Sequence, residues 1–144
     1  MMYFDAAYLA KCYLKEPGTQ DVIRLAATVE SIASCELARL EVLLTIRRHR
    51  REGRLSERQM LQIWQDFEAD EGEGRWVWLP LSARLVRATC ERIIAMPRDV
   101  FLRSIDALHL ACAVEHGFEE VYSNDRHMLA AAPHFGLKGV NILS

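Results

Sequence analysis

Four acidic residues far apart along the chain, Asp5, Glu41, Asp106 and Asp125, carry the chemistry this sequence can offer. Asp106 lies in Ser104–Val114 (SIDALHLACAV), which is apolar on nearly every side and reads as a helix with Ser104 as its N-cap. At about 100° of turn per residue, Asp106 shares a face with Leu110 and Ala113, and His109 stands at its shoulder. An ionised carboxylate on a buried helix face costs on the order of several kcal/mol unless a cation or a set of donors meets it. Each acid has a plainer role open to it. Asp106 suits the positive end of its helix, worth ~0.3–1 kcal/mol. Asp5 and Asp125 suit helix N-caps. Glu41, inside an apolar stretch, suits a pair with an arginine from another element.

The elements that must position these acids follow from the apolar pattern. Met1–Phe4 is a short buried strand ended by Asp5, and a helix from Ala6 to Leu14 stops at Pro17-Gly18. Thr19 caps a second helix to about Val29, and Ser31–Ser34 is a short second strand. A long helix from about Glu36 to Glu52 follows, with Leu37, Leu40 and Leu44 on one face and Glu41 within that stripe. Its end, Arg47-Arg48-His49-Arg50-Arg51, reads as a solvated or partner-facing charge run more than an RNA contact. Gly53 hinges it to a helix opened by Ser56, with Met60, Ile63, Trp64 and Phe67 as its apolar positions. Glu68–Gly74 reads as a polar loop with nothing to hold its acids. Trp76–Leu79 is a third strand, Ser82 caps a helix to Met96, and the Asp106 helix ends at Gly117. Glu119–Ser123 is a fourth strand, Asp125 precedes a helix from Arg126 to Ala132, and Val140–Leu143 is a last strand.

Strands alternating with helices imply an α/β fold with a parallel sheet of four to five strands. Right-handed crossovers put every strand's C-terminal end at one edge. Asp5 and Asp125 follow strands at that edge, and Glu41 and Asp106 lie early in helices that leave it. Separate capping roles do not account for this convergence. Like charges so close persist only with protons or bound cations. Oxygen-only ligation suits Mg²⁺ or Mn²⁺ and not zinc. Carboxylate-held dications activate water against phosphodiesters, which defines a hydrolase without a covalent intermediate.

The totals are consistent with one domain over 1–144. A net charge of −2 excludes a globally basic nucleic-acid binder but not a local basic patch. Cys12, Cys35, Cys90 and Cys112 are scattered without metal-site spacing, as expected of reduced thiols in the cytoplasm. No run approaches the ~20 apolar residues of a membrane span.

Asp5 after the first strand, Glu41 within Ser34-Cys35-Glu36-Leu37-Ala38-Arg39-Leu40-Glu41-Val42, and Asp106-Ala107-Leu108-His109-Leu110-Ala111 resemble the three main acidic motifs of PIN-domain nucleases. Ser123-Asn124-Asp125, with Met128, Leu129 and Ala131, resembles the fourth. Size and motif order are similar to the VapC-type toxins of toxin–antitoxin pairs, over essentially the whole chain. The resemblance implies a three-layer α/β/α fold and a Mg²⁺- or Mn²⁺-dependent endoribonuclease. It implies a homodimer and a cognate antitoxin that inserts a peptide into the active-site groove. By position, Asp5, Glu41, Asp106 and Asp125 become the metal-binding and catalytic acids. Ser123 becomes a hydroxyl supporting them, and His109 a packing or supporting group. The helical hairpin from about Glu36 to Phe67 becomes the antitoxin groove or the dimer contact. The chain departs from the family at Ala6 and Ala7, and at Cys35 and Ala38, where hydroxyl side chains are common; their loss loosens the orientation of the ligands. Two rivals follow. One is a catalytically idle PIN fold that binds a protein partner. The other is an aspartyl-phosphate chemistry on Asp5, disfavoured because Lys11, Lys15 and Lys138, the only lysines, are poorly placed after strand ends.

Overall fold

The computed structural model describes residues 1–143. Its elements are β1 (Met2–Tyr3), α1 (Ala6–Lys11), α2 (Thr19–Ala26), β2 (Ile32–Cys35), α3 (Leu37–Arg51) and α4 (Glu57–Gly72). These are followed by β3 (Trp76–Leu79), α5 (Ala83–Ile94), α6 (Ser104–Glu115), β4 (Glu120–Tyr122), α7 (Arg126–Ala131), a 3₁₀ turn (Ala132–Phe135) and β5 (Lys138–Val140).

The strands form a three-stranded parallel sheet, β1-β2-β3, and a two-stranded parallel sheet, β4-β5. A single bridge between Phe4 and Tyr122 joins them, and the Asp5 N–H donates to the Tyr122 carbonyl at 3.0 Å. The spatial order is therefore 3-2-1-4-5, all parallel. Chain order reverses at β1, and α/β folds place ligands outside the strand ends at such a reversal.

Two cores sandwich the sheet. Phe4, Tyr8, Leu9, Val22, Val42, Ile46 and Phe67 fill one face under α1–α4. Tyr3, Cys35, Leu85, Leu110, Cys112, Val121 and Phe135 fill the other under α5–α7. This three-layer α/β/α arrangement matches the expected class.

Several local expectations are corrected. Leu40 and Leu44 are each 54 % exposed, and α3 buries Ala38, Val42, Ile46 and His49 instead. The first half of α3 carries apolar residues on most of its sides, so its periodicity could not say which side meets the sheet. His49, read within the arginine run, turns inward, its Nε2 3.6 Å from Glu16. Helix α4 continues through Glu68–Gly72, so those acids are held after all. Arg39 donates to Glu71 at 2.8 Å and Glu68 at 3.1 Å, and the Tyr13 hydroxyl donates to Asp70 at 2.5 Å. Gly18 at φ +86° opens α2; Thr19 instead donates its hydroxyl to the Leu14 carbonyl at 2.7 Å. A side chain at position 18 would be strained and would meet Leu143 at 2.6 Å. Arg103, not Ser104, precedes α6, and no side chain caps that helix. The last strand lies at Lys138–Val140, earlier than expected.

Candidate active site

β1 is too short to hold itself, and its C-terminal end is fixed from both sides. The Ser34 hydroxyl donates to the Phe4 carbonyl at 2.7 Å, and Asp5 N–H bonds β4. Asp5 is 4 % exposed and caps α1, accepting the Tyr8 N–H at 2.9 Å. Burial pushes its carboxyl above the usual carboxylate range. The Ser123 hydroxyl, the Tyr8 N–H and the charge on His109 oppose this, while the charge on Glu41 adds to it.

Asp125 caps α7, accepting N–H groups of His127 at 2.8 Å and Met128 at 3.2 Å. The fully buried Ser123 hydroxyl accepts the Asp125 N–H at 2.9 Å and so fixes the turn after β4. Burial disfavours the charge on Asp125. The Met128 and His127 N–H groups and the Arg103 guanidinium outweigh it and hold the carboxyl below the usual range.

Asp106 is buried at the first turn of α6, one turn beyond Arg103. Arg103 Nε donates to its Oδ2 at 2.9 Å, and Arg103 Nη2 donates to Asp125 Oδ2. One guanidinium thus spans two of the acids. The fourth acid, Glu41, meets a histidine rather than an arginine: His109 Nε2 lies 2.7 Å from Glu41 Oε1. His109 Nδ1 lies 2.8 Å from the Tyr3 hydroxyl, which accepts the Cys35 N–H at 3.1 Å. With Tyr3 donating to Nδ1, neutral His109 carries its proton on Nε2 and donates it to Glu41. Burial pushes His109 down, but the hydrogen bond and charge of Glu41 outweigh it and set it above the ordinary histidine value.

Asp5, Glu41, Asp106 and Asp125 line one pocket of about 310 Å³, with Arg103, His109 and Asn124. Ala6 and Ala7 also line it, so the hydroxyls missing there are missing from the pocket wall. Cys35 and Ala38 do not line it and are buried in the two cores. Sequence reasoning missed Arg103 and Tyr3, and named Asn124 only as part of the fourth motif. Only Arg103 had a usable signal, its i,i+3 spacing to Asp106.

Among the described residues, no group of three His, Cys, Asp or Glu side chains is arranged to hold a metal ion. The donor chemistry nonetheless suits a hard dication, because the pocket offers carboxylate oxygens and no thiolate. The spread of these acids has a visible cause. Arg103 neutralises Asp106 and Asp125, His109 takes Glu41, and Asp5 is held by the α1 N-terminus. A dication could draw on Asp106 and Asp125 together only after Arg103 turned away.

The model of the PIN domain family matches residues 2–133. The chain belongs to the PIN-domain family. Among solved structures, Mycobacterium tuberculosis VapC20, a sarcin–ricin-loop-cleaving toxin, is similar at TM-score 0.69 and 17 % identity, over 91 % of this chain and 95 % of that one. VapBC2 from Rickettsia felis, bound to a promoter DNA fragment, matches at TM-score 0.66 and 15 % identity, over 98 % of each chain. FitAB bound to the IR36 DNA fragment matches at TM-score 0.58 and 12 % identity, over 98 % of this chain and 94 % of that one. At these identities the likeness establishes a shared fold. Comparison with curated proteins gives no match.

Proposed function

We propose that this PIN-domain chain is a VapC-type toxin, an endoribonuclease that hydrolyses RNA phosphodiesters with Mg²⁺ or Mn²⁺. The observation that carries the reading is the gathering of four carboxylates from four elements into one pocket where the strand order reverses. Asp5 and Asp106 are the indispensable pair, with Glu41 and Asp125 completing the set. A dication bound there would lower the pKa of its water and neutralise charge on the phosphoryl group. The chain's own residues set the conditions. Burial keeps Asp5 and Asp106 from dispersing their charge into water, Ser123 fixes the loop carrying Asp125, and His109 holds Glu41 by a hydrogen bond. Arg103, once released from the acids, offers a fork of donors suited to a phosphate.

The partners follow from the same reading. Similar folds include a toxin that cleaves an RNA loop and VapBC2 on promoter DNA, which favours RNA as substrate and a cognate antitoxin as inhibitor. Leu40 and Leu44 on α3 and Leu61 on α4 are large exposed apolar side chains, suited to the antitoxin or to a homodimer contact. No described helix is long and apolar enough to cross a membrane, and we place the protein in the cytoplasm.

The test is cleavage of RNA by the purified chain. Cleavage should stop in EDTA and return with Mg²⁺ or Mn²⁺. Asp106→Asn should lower the rate by at least about 100-fold while its thermal unfolding stays cooperative. Cleavage that survives EDTA would sink the reading. A second reading, an idle PIN fold, draws on Arg103 and His109 already engaging three of the acids. Intact RNA at millimolar Mn²⁺, with no metal bound, would favour it.

A further inference from the structure

A second cavity, of about 650 Å³, is walled by Phe101, His127 and His134 together with Pro97, Asp99 and Val100. The backbone leading into α6 explains how it arises. Residues 100–103 precede the helix without regular structure, and their burial alternates as in an extended chain. Val100 and Leu102 pack against the core that holds α6, while Phe101 and Arg103 are exposed. Phe101 is 54 % exposed, a large ring the core does not use. Its centroid lies 4.4 Å from that of His127, with the rings inclined at 47°.

Both rings are tied to the acid pocket. The His127 backbone N–H donates to Asp125 at 2.8 Å, and Arg103, two residues after Phe101, bonds Asp106 at 2.9 Å and also Asp125. Two extended residues span at most about 7 Å, so the aromatic wall begins within reach of the acids.

We propose that the cavity walled by Phe101 and His127 is a subsite for one unpaired RNA base, adjoining the nucleotide whose phosphate enters the acid pocket. The inference rests on the ribonuclease reading and deepens it. Phe101 supplies the stacking face, and His127 backs the ring. Every base has a π-face, so the subsite holds a base with little regard to sequence. Bases splayed from single strands and loops can reach it, whereas those within a duplex are already stacked. Selectivity for unpaired over duplex RNA would therefore come from the aromatic wall, not from the acids.

The test uses the full chain carrying Asp106→Asn, which should bind without cutting. Its Kd is measured by fluorescence anisotropy with an end-labelled single-stranded RNA oligonucleotide, and with the blunt duplex of the same strand. Adding Phe101→Ala should weaken single-strand binding by about 5- to 100-fold. It should change duplex binding little, and Phe101→Trp should restore the affinity. Equal single-strand Kd values with and without Phe101→Ala would overturn the subsite, and a ring that serves a protein partner instead would give that result. An equal loss on the duplex would overturn it too. Failure of the Asp106→Asn chain to bind either RNA would also overturn the subsite, whereas the ribonuclease reading stands or falls on cleavage by the unsubstituted chain.

Discussion

At the scale of single residues, the pocket shows how an acidic cluster is tolerated by a chain's own cations and donors. Arg103 spans Asp106 and Asp125, and His109 meets Glu41. The His109 arrangement has a pH signature. Its folded value lies above the ordinary histidine value, because the hydrogen bond and charge of Glu41 outweigh burial. The folded state then holds the proton more tightly than the unfolded chain. The stabilisation is fully present below the unfolded value, about 6.5, and is lost as pH rises through the folded value. The urea midpoint of the parent should therefore fall across that rise more than that of His109→Gln. The comparison is between slopes, since the substitution will also lower the midpoint overall. Parallel slopes would mean that His109 gains nothing from Glu41. None of this was legible in the sequence: the acids were, but Tyr3, His109 and Glu41 meet only through three separate elements.

At the scale of elements, α3 gives the sharpest contrast between pattern and packing. Leu37–Ile46 carries apolar residues on most of its sides, so the strip that faces the sheet was not decided by periodicity. The structure buries Ala38, Val42 and Ile46 and leaves Leu40 and Leu44 half in solvent. Truncating two side chains of one helix distinguishes the two faces. Ile46→Ala removes a fully buried side chain and should cost about 2–5 kcal/mol. Leu44→Ala should stay within ~0.5 kcal/mol in the isolated chain. Chemical denaturation measures both, and comparable losses would contradict the observed face. Where the pattern was unambiguous, it served well. The helix opened by Ser56, the Trp76–Leu79 strand and the Asp125 cap stand where the sequence put them. The loop expected at Glu68–Gly74 failed because Arg39, Tyr13 and Trp78 hold those acids from other elements. Arg39 and Tyr13 lie 32 and 57 residues away from the acids they hold, outside any window along the chain.

At the scale of the whole molecule, the alternation of strands and helices was enough to bring the acids to one edge, because parallel connections leave little choice of side. The sheet order was not legible, since the joint between β1 and β4 rests on a single bridge, Phe4 to Tyr122. Under the proposed ribonuclease reading, the same geometry bears on how a chain of net charge −2 would meet RNA. Helix α3 leaves the strand-end edge, so Arg47–Arg51 lie about 9–15 Å further along it than Glu41. That runs from about one Debye length to one and a half at ~0.1 M salt, and Arg47, Arg48, Arg50 and Arg51 are all exposed there. Arg98, Arg103 and Arg126 lie instead in the segments that carry the aromatic cavity and Asp125. RNA held at the acid pocket should therefore owe its salt dependence to this second group. Replacing Arg47, Arg48, Arg50 and Arg51 together by Gln in the Asp106→Asn chain tests it, with single-strand Kd measured from about 50 to 200 mM salt. The slope of log affinity against log salt should shift by less than about 0.7, the share of one phosphate contact on a single strand. A shift two or more times larger would mean that the strand runs along the end of α3, and that the acid pocket alone does not fix its path.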